Sequence, residues 1–248
     1  MDVLKTYIIG RGNLGSHIAN LFREHDFDFK IINISELSLV DQNSLVWLCI
    51  PDSAIGELIE KLIPSGCLMI YASGAINIQE KWKSQVGVWF PLYSIRKGYD
   101  LEWKEVPVFT ESYTKPITLY LKSLNSKLGI NAKELDSDKR LKLHLAAVFV
   151  NNFTNALLNA AEESLSDFSR DELINALLPI AKQTINRWPA ANASELQTGP
   201  AVRGDNDTIM RHLAQLSNLP EESELYASIT KYIAQKIKQN TKKSNKSV

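Results

Sequence analysis

Up to residue 110 the chain alternates short apolar runs with segments whose apolar positions recur at helical spacing. Strands buried on both faces read as continuous apolar runs, and each crossover helix needs only one apolar stripe, so the pattern predicts a parallel sheet covered by helices. Strands are expected at 6–9, 30–34, 45–50, 68–71, 86–90 and 106–109, and helices at 14–23 and 53–62. The second helix opens on Pro51-Asp52, a plausible cap.

Beyond residue 113 the period is helical, apart from a candidate strand at 130–135. The segment 139–165 is the longest helical pattern, and between 141 and 158 its apolar residues nearly encircle it. A helix that is apolar on every side needs cover on every side. It is therefore expected to be central to a second, helical domain and to extend into a subunit interface. Further helices are expected at 169–190, 207–216 and 221–239, and the closing QNTKKSNKSV is polar and basic. The resulting division is an α/β domain at 1–135, a helical domain at 136–240 and a disordered basic tail at 241–248.

Composition narrows the partners. With 44% hydrophobic and 23% charged residues the chain is an ordinary globular protein with a sizeable core. Lys plus Arg equals Asp plus Glu at 28 each, so there is no net field to attract nucleic acid or an anionic membrane. No apolar run approaches the roughly 18 residues of a membrane span, and MDVLKTYIIG lacks the basic start of a secretory signal. Cys49 and Cys67 sit in apolar runs without the spacing of a zinc or redox pair. The expectation is a cytoplasmic protein with buried thiols, no metal site and a small-molecule substrate.

GRGNLG, which is Gly10, Arg11, Gly12, Asn13, Leu14 and Gly15, follows the first strand and opens a helix, the context a dinucleotide fingerprint requires. Gly10 would permit the tight turn, Gly12 the approach of a pyrophosphate to the backbone, and Gly15 the packing of helix on strand, with the anion on the helix N-terminus. The alternative is three glycines kept for a tight turn alone. Cofactor choice is read about 20 residues on, where an acid would accept from the adenosine ribose and repel a 2′-phosphate. Asn33 and Ser35 stand there, so NADP is favoured with NAD as second choice, and Arg11 is a candidate phosphate contact. Pro51-Asp52 and Ser73-Gly74 should meet at the carboxyl edge of the sheet as further cofactor contacts, unless they serve only as turns.

On the long helix His144 precedes Asn151 by seven residues and Asn152 by eight, about 20° and 80° apart at 3.6 residues per turn. A proton carrier beside an amide suits a carbonyl or imine undergoing reduction, although both could simply be satisfied within a core. The segment TGPAVRGD reads as an irregular loop with Asp205 or Asn206 capping the next helix. It would bring Arg203, with Thr198, to an anionic substrate near a helix N-terminus, or else Arg203 ties the loop down.

In this order GRGNLG, CIPDSAI, YASGA, WFPLYS, HLAAVFVNNF and TGPAVRGD resemble the bacterial Rossmann-like proteins with a C-terminal helical domain of unknown function that are labelled NADP oxidoreductases. The resemblance spans nearly the whole chain. It implies a Rossmann-like parallel sheet followed by an all-α domain of the 6-phosphogluconate dehydrogenase C-terminal type. Relatives there include pyrroline-5-carboxylate and ketopantoate reductases, which dimerise through that domain. Family members carry His before the Pro-Leu of positions 91 and 92, where this chain has Phe90. The better-known reductases use a lysine or glutamate on the long helix, where this chain offers His144 and Asn152. The expectation is a homodimeric NADP-dependent oxidoreductase that moves hydride to or from a small anionic keto or imine substrate, with His144, Asn151 and Asn152 catalytic. The alternative, motivated by the same two departures, is a non-catalytic NADP-binding sensor or scaffold.

Overall fold

The structure, a computed structural model, describes residues 4–165 and 167–244. Its first unit is built on strands β1 (Thr6–Ile9), β2 (Lys30–Ile32), β3 (Leu45–Leu48), β4 (Leu68–Tyr71), β5 (Val86–Pro91), β6 (Val108–Glu111) and β7 (Lys133–Glu134), in the spatial order β2-β1-β3-β4-β5-β6-β7. β1 to β5 are parallel, β6 runs antiparallel to β5, and β7 is parallel to β6. The sixth strand begins at Val108, later than the pattern suggests. Pro107 has no N–H for a ladder, and its carbonyl instead accepts from the Leu92 amide at 2.8 Å.

Successive strand residues face opposite sides. Tyr7, Ile9, Val46, Leu48, Met69 and Tyr71 therefore pack with α2 (Asp52–Leu62), and Ile8, Trp47, Ile70 and Trp89 pack with α1 (Asn13–Glu24) and α3 (Lys115–Leu128). Cover on both faces explains the unbroken apolar runs of β3 and β5, which are buried at every position. Both central indoles are satisfied from α3: Trp47 Nε1 donates to the Tyr120 hydroxyl at 3.0 Å and Trp89 Nε1 to Asn125 Oδ1 at 2.8 Å.

The long helical pattern resolves into α4 (Ser137–Ala147), a π-helical turn at Val148–Phe153, and α5 (Thr154–Glu163). α4 opens on Asp136, whose carboxylate accepts from the Lys139 amide at 2.8 Å. The chain divides into its two units between Asn152 and Phe153, later than the expected 135/136, because the start of α4 is held to the sheet through buried Arg140. Arg140 is the one buried residue of α4, while Leu141, Leu145, Leu157 and Leu158 along the run are exposed. Among the described residues these positions are thus not covered as expected for a central helix.

The second unit contains α5, α6 (Arg170–Arg187), α7 (Pro200–Arg203), α8 (Asn206–Gln215) and α9 (Pro220–Ser244). α9 continues through Ser244, which corrects the expected tail at 241–248 over its first part; residues 245–248 lie outside the described residues. Among the described residues no helix is long and apolar enough to cross a membrane.

Candidate functional site

β1, β3 and β4 are parallel neighbours, so the loops that follow them open on one edge of the sheet. In the first loop, two glycines are demanded by the fold and one is not. Gly10 has φ +112°, and a Cβ there would lie 2.2 Å from the Cys49 carbonyl oxygen. A Cβ on Gly15 would lie 2.2 Å from the Gly10 carbonyl oxygen, which is what allows α1 to pack so closely on β1. Gly12, the residue before α1, has φ −74°, open to any residue, and a Cβ there would meet no atom within 4 Å. Tight-turn chemistry accounts for Gly10 and Gly15. Gly12 is required by neither the turn nor the packing, and it stands exposed at the start of α1.

The surroundings of this turn are polar. Arg11 is exposed, and its Nη2 donates to the Ile31 carbonyl at 3.4 Å. Leu14 is half-buried against the core, and Asn13 Oδ1 accepts from the Lys97 amide at 3.1 Å. The stretch after β5 thereby lies along α1 and lines, with Gly10, Arg11, Gly15 and His17, a cavity of about 820 Å³. Beneath the turn, burial pushes the Cys49 thiol up to about 12, so it carries no thiolate chemistry.

The second loop is simpler than expected. Pro51, not Asp52, stands at the cap position of α2, its carbonyl accepting from Ala54 at 2.9 Å, and both Pro51 and Asp52 are exposed at the sheet edge. In the third loop Ser73 Oγ accepts from the Ala75 and Ile76 amides at 3.0 and 3.1 Å, so its lone pairs are committed to the turn itself. Gly74 differs. A Cβ there would come within 2.7 Å of His144 Cγ and Nδ1 and 2.8 Å of Phe90 Cζ. The third loop and the long helix meet at this point, with the rings of His144 and Phe90 edge-on at 6.1 Å.

A buried ion pair holds that meeting in place. Arg140, with no exposed surface, donates through Nη2 to Glu111 Oε2 at 2.9 Å and through Nη1 to the carbonyls of Ser73 at 2.6 Å and Ile76 at 2.8 Å. Glu111 also accepts from the Ser137 hydroxyl at 2.8 and 2.9 Å and from the Tyr113 hydroxyl at 2.7 Å. That last bond, to a carboxylate, pushes Tyr113 up to about 12. Four residues beyond Arg140, on the same face of α4, comes His144. Neither Arg140 nor Glu111 was singled out as a site residue from the sequence; the usable signal was the four-residue spacing from Arg140 to His144.

Asn151 and Asn152 are exposed in the π turn. Their expected angles to His144 assume 3.6 residues per turn, and the wider π turn breaks that register, a feature frequent at functional sites. Asn33 and Ser35 are exposed past the end of β2, where the Asn33 amide donates to Glu36 Oε2 at 2.7 Å.

In the second unit TGPAVRGD is not an irregular loop but contains the single turn α7, bounded by Gly199 at φ +108° and Gly204 at φ +67°. Asp205 caps α8 as expected, accepting from the Thr208 amide at 3.1 Å and its hydroxyl at 2.8 Å. These bonds hold its carboxyl below the usual range, with a smaller contribution from the nearby Arg203 charge. Arg203 is exposed at the end of α7. Thr198 lines an apolar cavity of about 370 Å³ with Leu157, Pro200, Tyr226 and Ile229.

The family model described as a domain of unknown function, DUF2520, matches residues 106–233. Similar solved structures include a Bacteroides fragilis protein named "putative NADP oxidoreductase", at 27% identity and TM-score 0.80 over 94% of this chain and 98% of that one. A Thermotoga maritima protein matches at 18% identity and TM-score 0.62, over 95% and 99%. An imine reductase of Myxococcus stipitatus in complex with NADP+ matches at 14% identity and TM-score 0.62, over 96% and 94%. No curated protein matches the chain. The fold is a Rossmann-like α/β domain followed by a helical domain.

Proposed function

Because this chain belongs to the DUF2520 family, we propose its activity from the site it carries: an NADP-dependent oxidoreductase that transfers hydride to or from a small anionic keto or imine substrate. The observation that supports this is the packing of half-buried His144 against Gly74, on the sheet edge where Gly12 leaves the start of α1 open. The neighbours named for NADP, of Bacteroides fragilis and Myxococcus stipitatus, support the cofactor. When bound, its nicotinamide would supply or take the hydride. Residues 10–15 would hold the dinucleotide, with Pro51, Asp52, Ser73 and Gly74 beside it.

His144, whose ring packs on Gly74, would exchange through a ring nitrogen the proton that a carbonyl oxygen or imine nitrogen gains on reduction. Asn151 and Asn152, exposed in the π turn, would orient the reacting group. Arg203 and Thr198 are the proposed substrate contacts of the helical unit. The exposed apolar residues Leu157, Leu158, Ile180 and Ile185 support a homodimer formed through that unit. The two free thiols suit a reducing cytoplasm.

The test has two stages. Calorimetry should find NADPH bound by the wild type and lost in Gly12→Val, with melting unchanged. NADPH oxidation over a panel of keto acids and imines should then find turnover that His144→Gln lowers by about 100-fold, the usual scale of a lost general acid or base. Unchanged NADPH affinity in Gly12→Val overturns the cofactor site. Tight binding with no turnover across the panel replaces the enzyme with the sensor reading.

A further inference from the structure

The end of β2 lies beside the glycine turn, since the Gly10 amide donates to the Ile32 carbonyl at 3.1 Å. In a sheet of this topology, the adenosine ribose of a dinucleotide held on that turn comes to the end of the second strand. Two charged side chains stand there. Arg11 reaches the Ile31 carbonyl, and Glu36 folds back so that Oε2 accepts the Asn33 amide at 2.7 Å. Residues 33–40, NISELSLV, contain no lysine or arginine, and Ile34 is exposed among them. The linear distance from GRGNLG points to Asn33 and Ser35 and so to a position free of carboxylate; the fold-back brings one to it.

We infer that Glu36 sets the dinucleotide preference of this chain: its carboxylate accepts from the hydroxyls of an unphosphorylated adenosine ribose and opposes a 2′-phosphate, which Arg11 favours. The inference rests on the reading of the glycine loop as a dinucleotide site. Physically it follows from tethering. One oxygen is held by the Asn33 amide in the capping box of the 3-10 turn Ile34–Leu39, which keeps the negative charge at the end of β2, and the second oxygen can accept a ribose hydroxyl. The chain should accordingly accept NAD as well as NADP, with Arg11 and Glu36 pulling in opposite directions.

Glu36→Gln is the informative variant, because its amide oxygen can still accept the Asn33 N–H while the charge is gone. Calorimetric titrations of wild type and variant with NADPH and with NADH should show the ratio of NADPH to NADH affinity rising by about tenfold in Glu36→Gln, the scale of one nearby unit charge. Arg11→Ala should move the same ratio the other way. If both dinucleotides bind and Glu36→Gln leaves the ratio within about twofold, Glu36 is a local cap and the inference fails while the dinucleotide site stands. Equal weakening of both ligands with a lowered melting temperature overturns it in the same way. If the wild type binds neither dinucleotide, the site reading itself falls and takes the inference with it.

Discussion

In the sheet unit the strands bury Ile8, Val46, Trp47, Ile70 and Trp89 between helices on two faces, whereas in the helical unit Leu173 is the one buried hydrophobic residue among those described. There Leu157, Leu158, Leu178, Ile180 and Ile185 stay exposed. Both units are rich in apolar residues, so the contrast is one of closure. A seven-stranded sheet offers two flat faces, and α1, α2 and α3 are enough to cover its centre. Helices with apolar residues on more than one side need a further layer that this unit does not contain. The sheet unit can therefore hold a charge pair such as Arg140 and Glu111 away from water. The helical unit instead leaves most of its apolar side chains at the surface among the described residues.

The sharpest attack on that contrast is Arg140→Met, which leaves the Glu111 carboxylate buried without its cation. Removing one member of a buried pair costs about 3–5 kcal/mol. Denaturant unfolding followed through Trp47 and Trp89 should show a loss of that size; a loss under about 1 kcal/mol would mean the pair is not sealed as its geometry indicates.

Next in size is Leu157→Glu, which puts a charge on the exposed apolar row of the helical unit. An unpaired charge buried in an interface costs several kcal/mol, so the proposed dimer should weaken by about 100-fold or more while the Trp47 and Trp89 transition holds. Sedimentation or light scattering reads the outcome. A wild type that is a stable monomer at micromolar concentration would show that exposure here has another meaning.

The smallest effect tests what the units share. Asp136 in one and Asp205 in the other each cap a helix, and bonds from the Lys139 and Thr208 amides respectively hold their carboxyls below the ordinary range. A depressed value means stability that is present above the ordinary carboxylate value and lost as pH falls through the lowered one. Both units should therefore soften modestly below about pH 4. Asp205→Asn should remove that acid sensitivity from the helical transition alone, as followed by circular dichroism; acid softening that persists unchanged would assign it to other carboxylates.

The strands and the glycine turn were legible because their signals are local: burial on both faces leaves an unbroken apolar run, and a close backbone approach leaves a glycine. α1 and α2 fall within one residue of their expected ends for the same reason. The long helix was legible in place but not in register, since a π turn at Val148–Phe153 changes no residue type that a pattern can detect. His144 could be singled out as a titratable group on an apolar helix, but its contact with Gly74 depends on which loop α4 is locked to.

By itself, then, the sequence determined most strands of the sheet, the helices beside them at α1 and α2, and the glycine turn at residues 10–15, because period and glycine spacing act over a few residues. It named no helix at Lys115–Leu128 and placed the change of unit earlier than Asn152. Only the tertiary structure decided that Arg140 and Glu111 are buried together, that Gly74 and His144 touch, and that Glu36 returns to the end of β2. A charged side chain reads as solvated in any linear pattern. Whether it stays so depends on the partners that folding brings within about 3 Å of it, and those come from elements far apart in the chain.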